Sequence, residues 1–260
     1  MTRLSGRTAL VTGSTSNIGR AIATALAREG AHVVVSGRDD GRGEAVVAAI
    51  RAEGGRADYV RAELDGGSAA SRALASAARD RLGGRIDILV NNAGIYPPSA
   101  TLTDDDEIVD RLYAVNVKAP YFLTQAVLPD MIEAGGGVII NLGSWVTRLG
   151  LPVGALYAST KGALETLTRS WSAEFGPKGV RVNAISPGVI LAADSTVAHP
   201  SVETLMHGTP AGSAGAPEAI AAAAVYLASD DAAFVHGSVL DVDGGRTGVA
   251  VIADATAVGS

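Results

Sequence analysis

Residues 8 to 19 of the chain read Thr8-Ala9-Leu10-Val11-Thr12-Gly13-Ser14-Thr15-Ser16-Asn17-Ile18-Gly19. The run from Thr8 to Val11 predicts a short buried strand that ends at Gly13. Apolar residues then recur at helical spacing from Ile18 to Arg28, and Gly30 follows as a stop signal. A strand that enters a helix through a glycine-containing turn is typical of the first unit of a parallel α/β sheet.

The turn itself has the features of an anion-binding loop. Gly13 and Gly19 are six residues apart, so the usual G-x-G-x-x-G pattern is absent, and Asn17 lies between them. Asn tolerates left-handed backbone angles, and we expect it to replace a glycine at position 17. Backbone N–H groups and the positive end of the helix dipole would then face a pyrophosphate. An ordinary strand-to-helix turn is the alternative interpretation.

Strands and helices alternate along the rest of the chain at helix-sized spacing. Two helices are expected to fill Asp104 to Glu133. Six further apolar runs predict strands, at residues 33–35, 57–60, 86–90, 138–142, 180–185 and 239–242. Strands that are apolar throughout indicate a sheet covered on both faces. The predicted fold class is α/β, a single doubly wound Rossmann domain over residues 1–260 with a seven-stranded, mostly parallel sheet.

Composition excludes several classes of function. The formal net charge is −6 and the basic residues are scattered, so neither nucleic acid nor an anionic membrane is an expected partner. No apolar run reaches the ~20 residues of a membrane span, and Met1 to Arg7 lacks a signal-peptide core. There is no cysteine, which excludes disulfides, thiolate metal sites and a cysteine nucleophile. We expect a cytoplasmic protein without a metal site.

A second chemical signal is the pair Tyr157 and Lys161. The two residues lie four apart in a predicted helix that ends near Phe175, so their side chains share one face. A free tyrosine titrates near pH ~10, and a nearby positive charge stabilises its phenolate and lowers that pKa. The pair therefore suits proton transfer, although the spacing alone is also that of an ordinary solvated face.

Taken together, these motifs resemble those of the short-chain dehydrogenase/reductase family. The other landmarks occur in the family's order from about Arg7 to Gly245: Asn91-Asn92-Ala93-Gly94, Asn116, Ser144, Pro187-Gly188 and Val242-Asp243-Gly244-Gly245. The resemblance implies that Tyr157 is the acid or base, that Lys161 lowers its pKa and holds the nicotinamide ribose, and that Ser144 binds the substrate oxygen. Asn116 would help to hold a water that links Lys161 to solvent.

The resemblance also implies a set of cofactor-binding residues. These are Gly13, Ser14, Thr15, Ser16, Asn17, Ile18, Gly19, Arg38, Glu63, Leu64, Asn92, Ala93, Gly94, Tyr157, Lys161, Pro187, Gly188, Val189 and Ile190. Arg38 follows the second strand, where NAD-specific relatives have an acid one position earlier, and a guanidinium can bind a 2′-phosphate. We therefore expect NADP(H), with NAD(H) possible because Asp39 and Asp40 are near.

Two departures from the family pattern concern cofactor affinity. Glu63 stands where an aspartate is common, and no threonine follows Pro187-Gly188 closely. The backbone of Val189 and Ile190 is expected to replace it.

On the substrate side, the resemblance implies a mobile lid at about 189–216, which includes His199 and His207. The expected pocket residues are Tyr96, Ser144, Trp145, Val146, Leu149 and Met206. They favour an apolar site, so a hydrophobic or aromatic ketone and its secondary alcohol are the expected substrates. Arg148 is expected at the surface. A homotetramer is expected by resemblance, and residues 246–260 form a tail of unassigned role.

Alternatives stay open at this point. An NAD-dependent alcohol, steroid or sugar dehydrogenase of the same family is the main one. Halohydrin-dehalogenating relatives replace the lysine with arginine and lose the dinucleotide loop, which Lys161, Gly13 and Gly19 argue against. Non-catalytic dinucleotide-binding modules usually lose the tyrosine or the lysine.

Overall fold

The computed structural model describes residues 2–152, 154–191 and 204–249 of the chain. Its centre is one sheet of seven parallel strands in the order β3-β2-β1-β4-β5-β6-β7. The strands are β1 Thr8–Val11, β2 His32–Gly37, β3 Arg56–Arg61, β4 Ile88–Asn91, β5 Gly137–Leu142, β6 Val180–Pro187 and β7 Val239–Val242. The predicted fold class is confirmed, and the sheet is wholly parallel.

Helices cover both faces of this sheet. They are α1 Asn17–Arg28, α2 Asp40–Ala52, α3 Ser68–Leu82, α4 Asp106–Tyr113, α5 Ala119–Glu133, α6 Ala155–Phe175 and α7 Pro217–Ala228. Successive strand residues point to opposite faces, so the apolar runs divide between two cores. In β1, for example, Ala9 and Val11 pack in one core and Leu10 in the other. The part of the chain that the structure describes has no helix long and apolar enough to cross a membrane.

The prediction that two helices fill Asp104 to Glu133 is confirmed, because α4 and α5 occupy this stretch. Asp105 caps α4 by accepting from the N–H of Ile108 at 3.0 Å, but α4 and α5 are joined without a loop by a π-helical turn, Ala114–Lys118. The N–H of Ala119 bonds to the carbonyl of Ala114, five residues back. Such turns leave no mark in hydrophobic periodicity, and they are frequent at functional sites. Asn116 lies in this one.

Parallel register brings the predicted motifs to one edge of the sheet. Val11 pairs with Val90, Asn91 with Asn141, and β5 and β6 pair up to Leu142. The carboxyl ends of β1, β4 and β5 therefore lie side by side. In a doubly wound sheet this edge, where the strand order reverses, is where ligands bind.

Candidate active site

The loop between β1 and α1 is closed tightly by its glycines. Asn17 has a φ of 43°, which confirms the left-handed conformation expected there; it is the one non-glycine residue with positive φ among those the structure describes. A Cβ on Gly19 would lie 2.3 Å from the Gly13 carbonyl oxygen and 2.4 Å from Asn92 Nδ2. Asn92 in turn donates to the carbonyls of Thr12 at 2.8 Å and Gly13 at 3.0 Å. The loop after β4 thus fixes the shape of the loop after β1.

Ser14 does not face the ligand side of this loop, and its assignment as a cofactor contact is wrong. Its hydroxyl donates to the Val11 carbonyl at 2.6 Å and accepts from the N–H of Ser36 at 2.9 Å. Its own N–H donates to the Ser36 carbonyl at 2.9 Å. With its N–H and hydroxyl both engaged inside the protein, Ser14 ties the loop to β2.

A cleft of about 1180 Å³ runs along the carboxyl edge of the sheet. The predicted cofactor residues that line it are Gly13, Thr15, Ser16, Asn17, Ile18, Gly19, Arg38, Glu63, Leu64, Asn92, Ala93, Gly94 and Tyr157. A cleft of this size lined by a helix N-terminus suits a dinucleotide, whose pyrophosphate would lie against the glycine loop. The residues present therefore fit such a cofactor.

Sequence reasoning missed a second group of cleft residues. They are Ser36, Gly37, Arg42, Ala62, Asp65, Ile95, Glu107, Asp110, Arg111, Tyr113, Ala114, Val115 and Lys118. Several come from α4 and the π-helical turn, which no local motif marks as part of a cofactor site. For Arg42 the sequence offers one signal, a second arginine four residues after Arg38.

The stretch from Pro187 to Ile190 lies to one side of the main cleft. The N–H of Gly188 donates to the Val242 carbonyl at 3.0 Å, and a Cβ on Gly188 would lie 2.5 Å from Asp243 Cα. The carbonyl of Val189 accepts from the N–H of Gly215 at 2.9 Å. Ile190 lines an adjoining pocket of about 490 Å³ together with Thr15, Ser16, Asn17 and Arg42. The predicted role of the Ile190 backbone toward the nicotinamide stays a prediction.

The charges that follow β2 are arranged around Arg42. Asp39 caps α2, where it accepts from the N–H and the Nε of Arg42, both at 2.9 Å. The hydrogen bond from the backbone N–H of Arg42 is the largest effect that lowers the pKa of the Asp39 carboxyl. Asp40 lies 3.8 Å from Arg61. Both aspartates are therefore engaged by arginines, while Arg38 and Arg42 line the cleft.

Tyr157 occupies the first turn of α6, which begins after Gly154 at a φ of 80°. Burial raises the pKa of its phenol to about 12, and a hydrogen bond with Ser144 acts in the opposite direction. The ring of Tyr96 packs 4.5 Å from the ring of Tyr157. At neutral pH the phenol is protonated, which suits a proton donor.

Lys161 is only 5% exposed and lies beneath Tyr157. Its Nζ donates to the Leu142 carbonyl at 2.8 Å and is 5.7 Å from the centre of the Tyr157 ring. Burial lowers the pKa of Lys161 to about 8, and the charge of Glu165 raises it. The ammonium is turned to the end of β5, and burial is the main cause of the raised pKa at the Tyr157 phenol.

The side chain of Asn116 joins three elements at the π-helical turn. Its Oδ1 accepts from the N–H of Ile95 at 2.9 Å, and its Nδ2 donates to the Ile95 carbonyl at 3.0 Å and to Thr160 Oγ1 at 3.1 Å. These contacts engage both ends of the side-chain amide, and the role of Asn116 in holding a water stays a prediction. The side chain fixes the loop after β4 against α6.

The predicted substrate residues are only partly brought together. Tyr96 is 63% exposed beside Tyr157, and Trp145 is buried directly after Ser144. Leu149 is at the surface and Val146 is half-buried. Met206 is wrongly assigned: it is 1% exposed and packs under Gly244, whose added Cβ would lie 3.0 Å from the Met206 Cε.

Two arginines on this side are engaged within the protein. Arg148 is exposed, as expected, and lies 3.9 Å from Glu165 and 3.5 Å from Asp241. Arg246, which sequence reasoning assigned to the tail, stacks over the Trp145 ring at 4.4 Å and donates to the Leu205 carbonyl. His199 and the centre of the predicted lid lie outside the described residues, as does the tail from residue 250.

Comparison with known proteins places the chain in a family. A family model described as enoyl-(acyl carrier protein) reductase matches residues 13–247. A solved structure described as a short chain dehydrogenase/reductase family protein is 44% identical, with a TM-score of 0.84, over 95% of this chain and 100% of the other. The chain belongs to the short-chain dehydrogenase/reductase family and is an oxidoreductase.

Named relatives are similar along nearly their whole length. A D-threitol dehydrogenase of Mycolicibacterium smegmatis is 39% identical, over 94% of each chain. A cyclopentanol dehydrogenase of Comamonas is 35% identical, over 95% of this chain and 99% of the other. A gluconate 5-dehydrogenase of Burkholderia cenocepacia, solved with NADP and tartrate, is 35% identical at a TM-score of 0.88, over 95% and 98%.

Proposed function

We propose that the protein interconverts a ketone and a secondary alcohol with NADP(H) as the hydride donor or acceptor. The observation that carries this proposal is the position of Tyr157, which lines the dinucleotide cleft and is hydrogen-bonded to Ser144. A proton donor, a polar hydroxyl and a cofactor cleft meet at one point, as reduction of a carbonyl requires.

The chemistry divides between the cofactor and the chain. When bound, the nicotinamide supplies the hydride, which no side chain here can supply. Ser144 donates a hydrogen bond to the carbonyl oxygen and orients it toward the phenol. Tyr157 then gives its proton to that oxygen as negative charge develops there, and in alcohol oxidation it takes the proton back. Lys161 keeps a positive charge beneath this site, which stabilises the phenolate that forms when Tyr157 gives up its proton.

The preference for NADP(H) is supported by the charges after β2. Arg38 and Arg42 line the cleft, Asp39 is paired with Arg42, and Asp40 lies 3.8 Å from Arg61. Guanidinium groups bind phosphate in a charge-assisted, bidentate manner. Relatives solved with NADP, such as the gluconate 5-dehydrogenase, agree with this preference.

An apolar ketone of modest size is the proposed substrate. The exposed ring of Tyr96 and the indole of Trp145 flank the phenol and hydroxyl that would bind the carbonyl. One relative is named cyclopentanol dehydrogenase, after a small apolar alcohol. Polyol and sugar acid relatives make hydroxylated ketones the second class to test.

We also propose a homotetramer. Small residues on α6 and the exposed aromatic rings of Tyr226 and Phe234 near the β7 edge leave two faces suited to packing against copies of the chain. A β7 strand at the edge of the sheet supports the same conclusion, because unpaired edges are usually covered.

The test is oxidation of NADPH and NADH against a panel of cyclic, aromatic and hydroxylated ketones, with one enoyl thioester included. We expect turnover with NADPH on an apolar ketone and a loss of at least ~100-fold in Tyr157→Phe, which keeps the ring but has no proton to give. Ser159→Ala, an exposed position two residues along the same helix, is the matched control. Full activity of the phenylalanine variant would overturn the assigned role.

A further inference from the structure

One buried charge near the site has no part in the mechanism above. Glu165 lies one helical turn after Lys161 on the same face of α6 and is only 4% exposed. Burial of a carboxylate is unfavourable unless specific contacts compensate for the loss of water. The contacts of Glu165 therefore indicate what it does.

These contacts converge on the chain segment that carries Ser144. Glu165 Oε1 lies 2.9 Å from the hydroxyl of Thr147, and that hydroxyl is also 2.9 Å from the Ser144 carbonyl oxygen. A Cβ on Gly143 would lie 2.7 Å from Glu165 Oε1, so only a glycine leaves room for the carboxylate. The carboxylate is thus packed directly against the exit of β5.

Lys161 contacts the last residue of β5, directly before this segment. Its ammonium donates to the carbonyl of Leu142 at 2.8 Å, immediately before Gly143 and Ser144. Three consecutive residues at the end of β5 and just beyond it, Leu142, Gly143 and Ser144, therefore lie against Lys161, Glu165 and Thr147 in that order. The two buried charges of opposite sign hold one short segment of backbone between them.

From this geometry we propose that Glu165 is a positioning residue, which keeps Lys161 in its charged form and fixes the turn that carries Ser144. Its effect on the reaction rests on the proposed function, but its effect on Lys161 does not. Within residues 2–152, 154–191 and 204–249, the other titratable or charged groups that face this pair are Tyr157 on α6, Tyr96 on the loop after β4, Arg148 after β5 and Asp241 on β7.

Burial and the charge of Glu165 act on Lys161 in opposite directions. Burial lowers the pKa of Lys161 to about 8, and the carboxylate raises it. Removal of the carboxylate should therefore release the Lys161 proton at lower pH. An opposite charge within a helical turn commonly changes a pKa by about one pH unit or more, so the Lys161 titration midpoint should fall from about 8 toward neutrality.

The lysine content of the chain makes this directly measurable. There are three lysines, Lys118, Lys161 and Lys178, and the first and last are exposed. Protein labelled with lysine carrying ¹³C at Cε gives three resonances, and Lys161→Arg identifies the buried one. The exposed pair serve as internal references. The experiment needs neither substrate nor cofactor, so it is independent of the proposed reaction.

In Glu165→Gln the Lys161 midpoint should fall by about one pH unit. Glu165→Ala gives the same test if the glutamine variant does not fold, and Glu165→Asp, which keeps the charge, should stay near the wild type. Arg148→Gln is the matched control, because it removes the outer partner of Glu165 and leaves both buried charges; its midpoint should not fall. An unchanged midpoint in Glu165→Gln, or an equal fall in Arg148→Gln, would overturn the proposal.

Turnover provides the second readout once a ketone substrate is known. The alkaline limb of kcat/KM should move down in pH in Glu165→Gln and keep its position in Arg148→Gln. Thr147→Val, which removes the hydroxyl beside Ser144 but no charge, should lower kcat without moving the limb. A limb that moves in Thr147→Val would show that the turn, and not the charge, governs the titration.

Discussion

The tight contact at Gly19 makes a quantitative prediction for Gly19→Ala. An added Cβ would lie 2.3 Å from the Gly13 carbonyl oxygen, 2.4 Å from Asn92 Nδ2 and 2.8 Å from Ser14 Cα, whereas ordinary contacts begin at 3.4 Å. Two of these neighbours are backbone atoms, so rotation of a side chain cannot relieve the clash. The loop or the helix has to move.

The cost combines overpacking with lost hydrogen bonds. Forcing one extra carbon into a packed site costs ~1–3 kcal/mol. Displacement of Asn92 weakens its bonds to Thr12 and Gly13, each worth ~0.5–1.5 kcal/mol. We expect a total loss of about 3 kcal/mol in the free energy of unfolding, which for a chain of this size lowers Tm by roughly 6–12 °C.

Thermal unfolding followed by circular dichroism is the assay, and NADPH titration by fluorescence reports on the loop itself. Gly41→Ala is the matched control, since Gly41 lies exposed in the first turn of α2 and the nearest atom to an added Cβ is 3.6 Å away. There, alanine should raise stability slightly, by about 0.5–1 kcal/mol at most. A Gly19→Ala protein that melts within about 2 °C of the wild type and binds NADPH normally would refute the reasoning.

Three further predictions concern the cofactor, the pH profile and assembly. Arg38→Ala should lower kcat/KM with NADPH by about 10–150-fold, the value of a charge-assisted hydrogen bond of ~1.5–3 kcal/mol, and leave NADH turnover almost unchanged; equal losses with both cofactors in steady-state kinetics would contradict a 2′-phosphate contact. The kcat/KM of ketone reduction should be constant at low pH and fall above about pH 8, where Lys161 loses its proton, because Tyr157 keeps its proton up to about 12. A fall that begins only near pH ~10 would assign the titration to a different group. Gly162 has no atom within 4 Å of an added Cβ, so Gly162→Leu fits the single chain but should split a tetramer built on α6. Light scattering decides this, and a monomeric wild type, or a variant of unchanged mass, would count against that interface.

The overall fold and the location of the site were determined locally along the sequence. Each strand is an apolar run of a few residues, and each helix carries its own start and stop signals, so short windows contain the information. The left-handed angle at Asn17 is of the same kind, because it depends on the residue and its immediate turn. Parallel order then brings the ends of β1, β4 and β5 to one edge, which the alternation of strands and helices already implied.

The direction in which individual side chains point was decided only by tertiary packing. Ser14 belongs to the glycine loop in sequence, yet β2 supplies its partners and turns it inward. Met206 lies in the predicted lid, but packing under Gly244 buries it. Arg42 reaches the cleft because Asp39 caps its helix, and Lys161 turns to Leu142 because α6 packs on β5. These contacts join residues whose separation in the chain is unrelated to their distance in space. The residue types available for the chemistry therefore came from the sequence, and their orientation and protonation came from the fold.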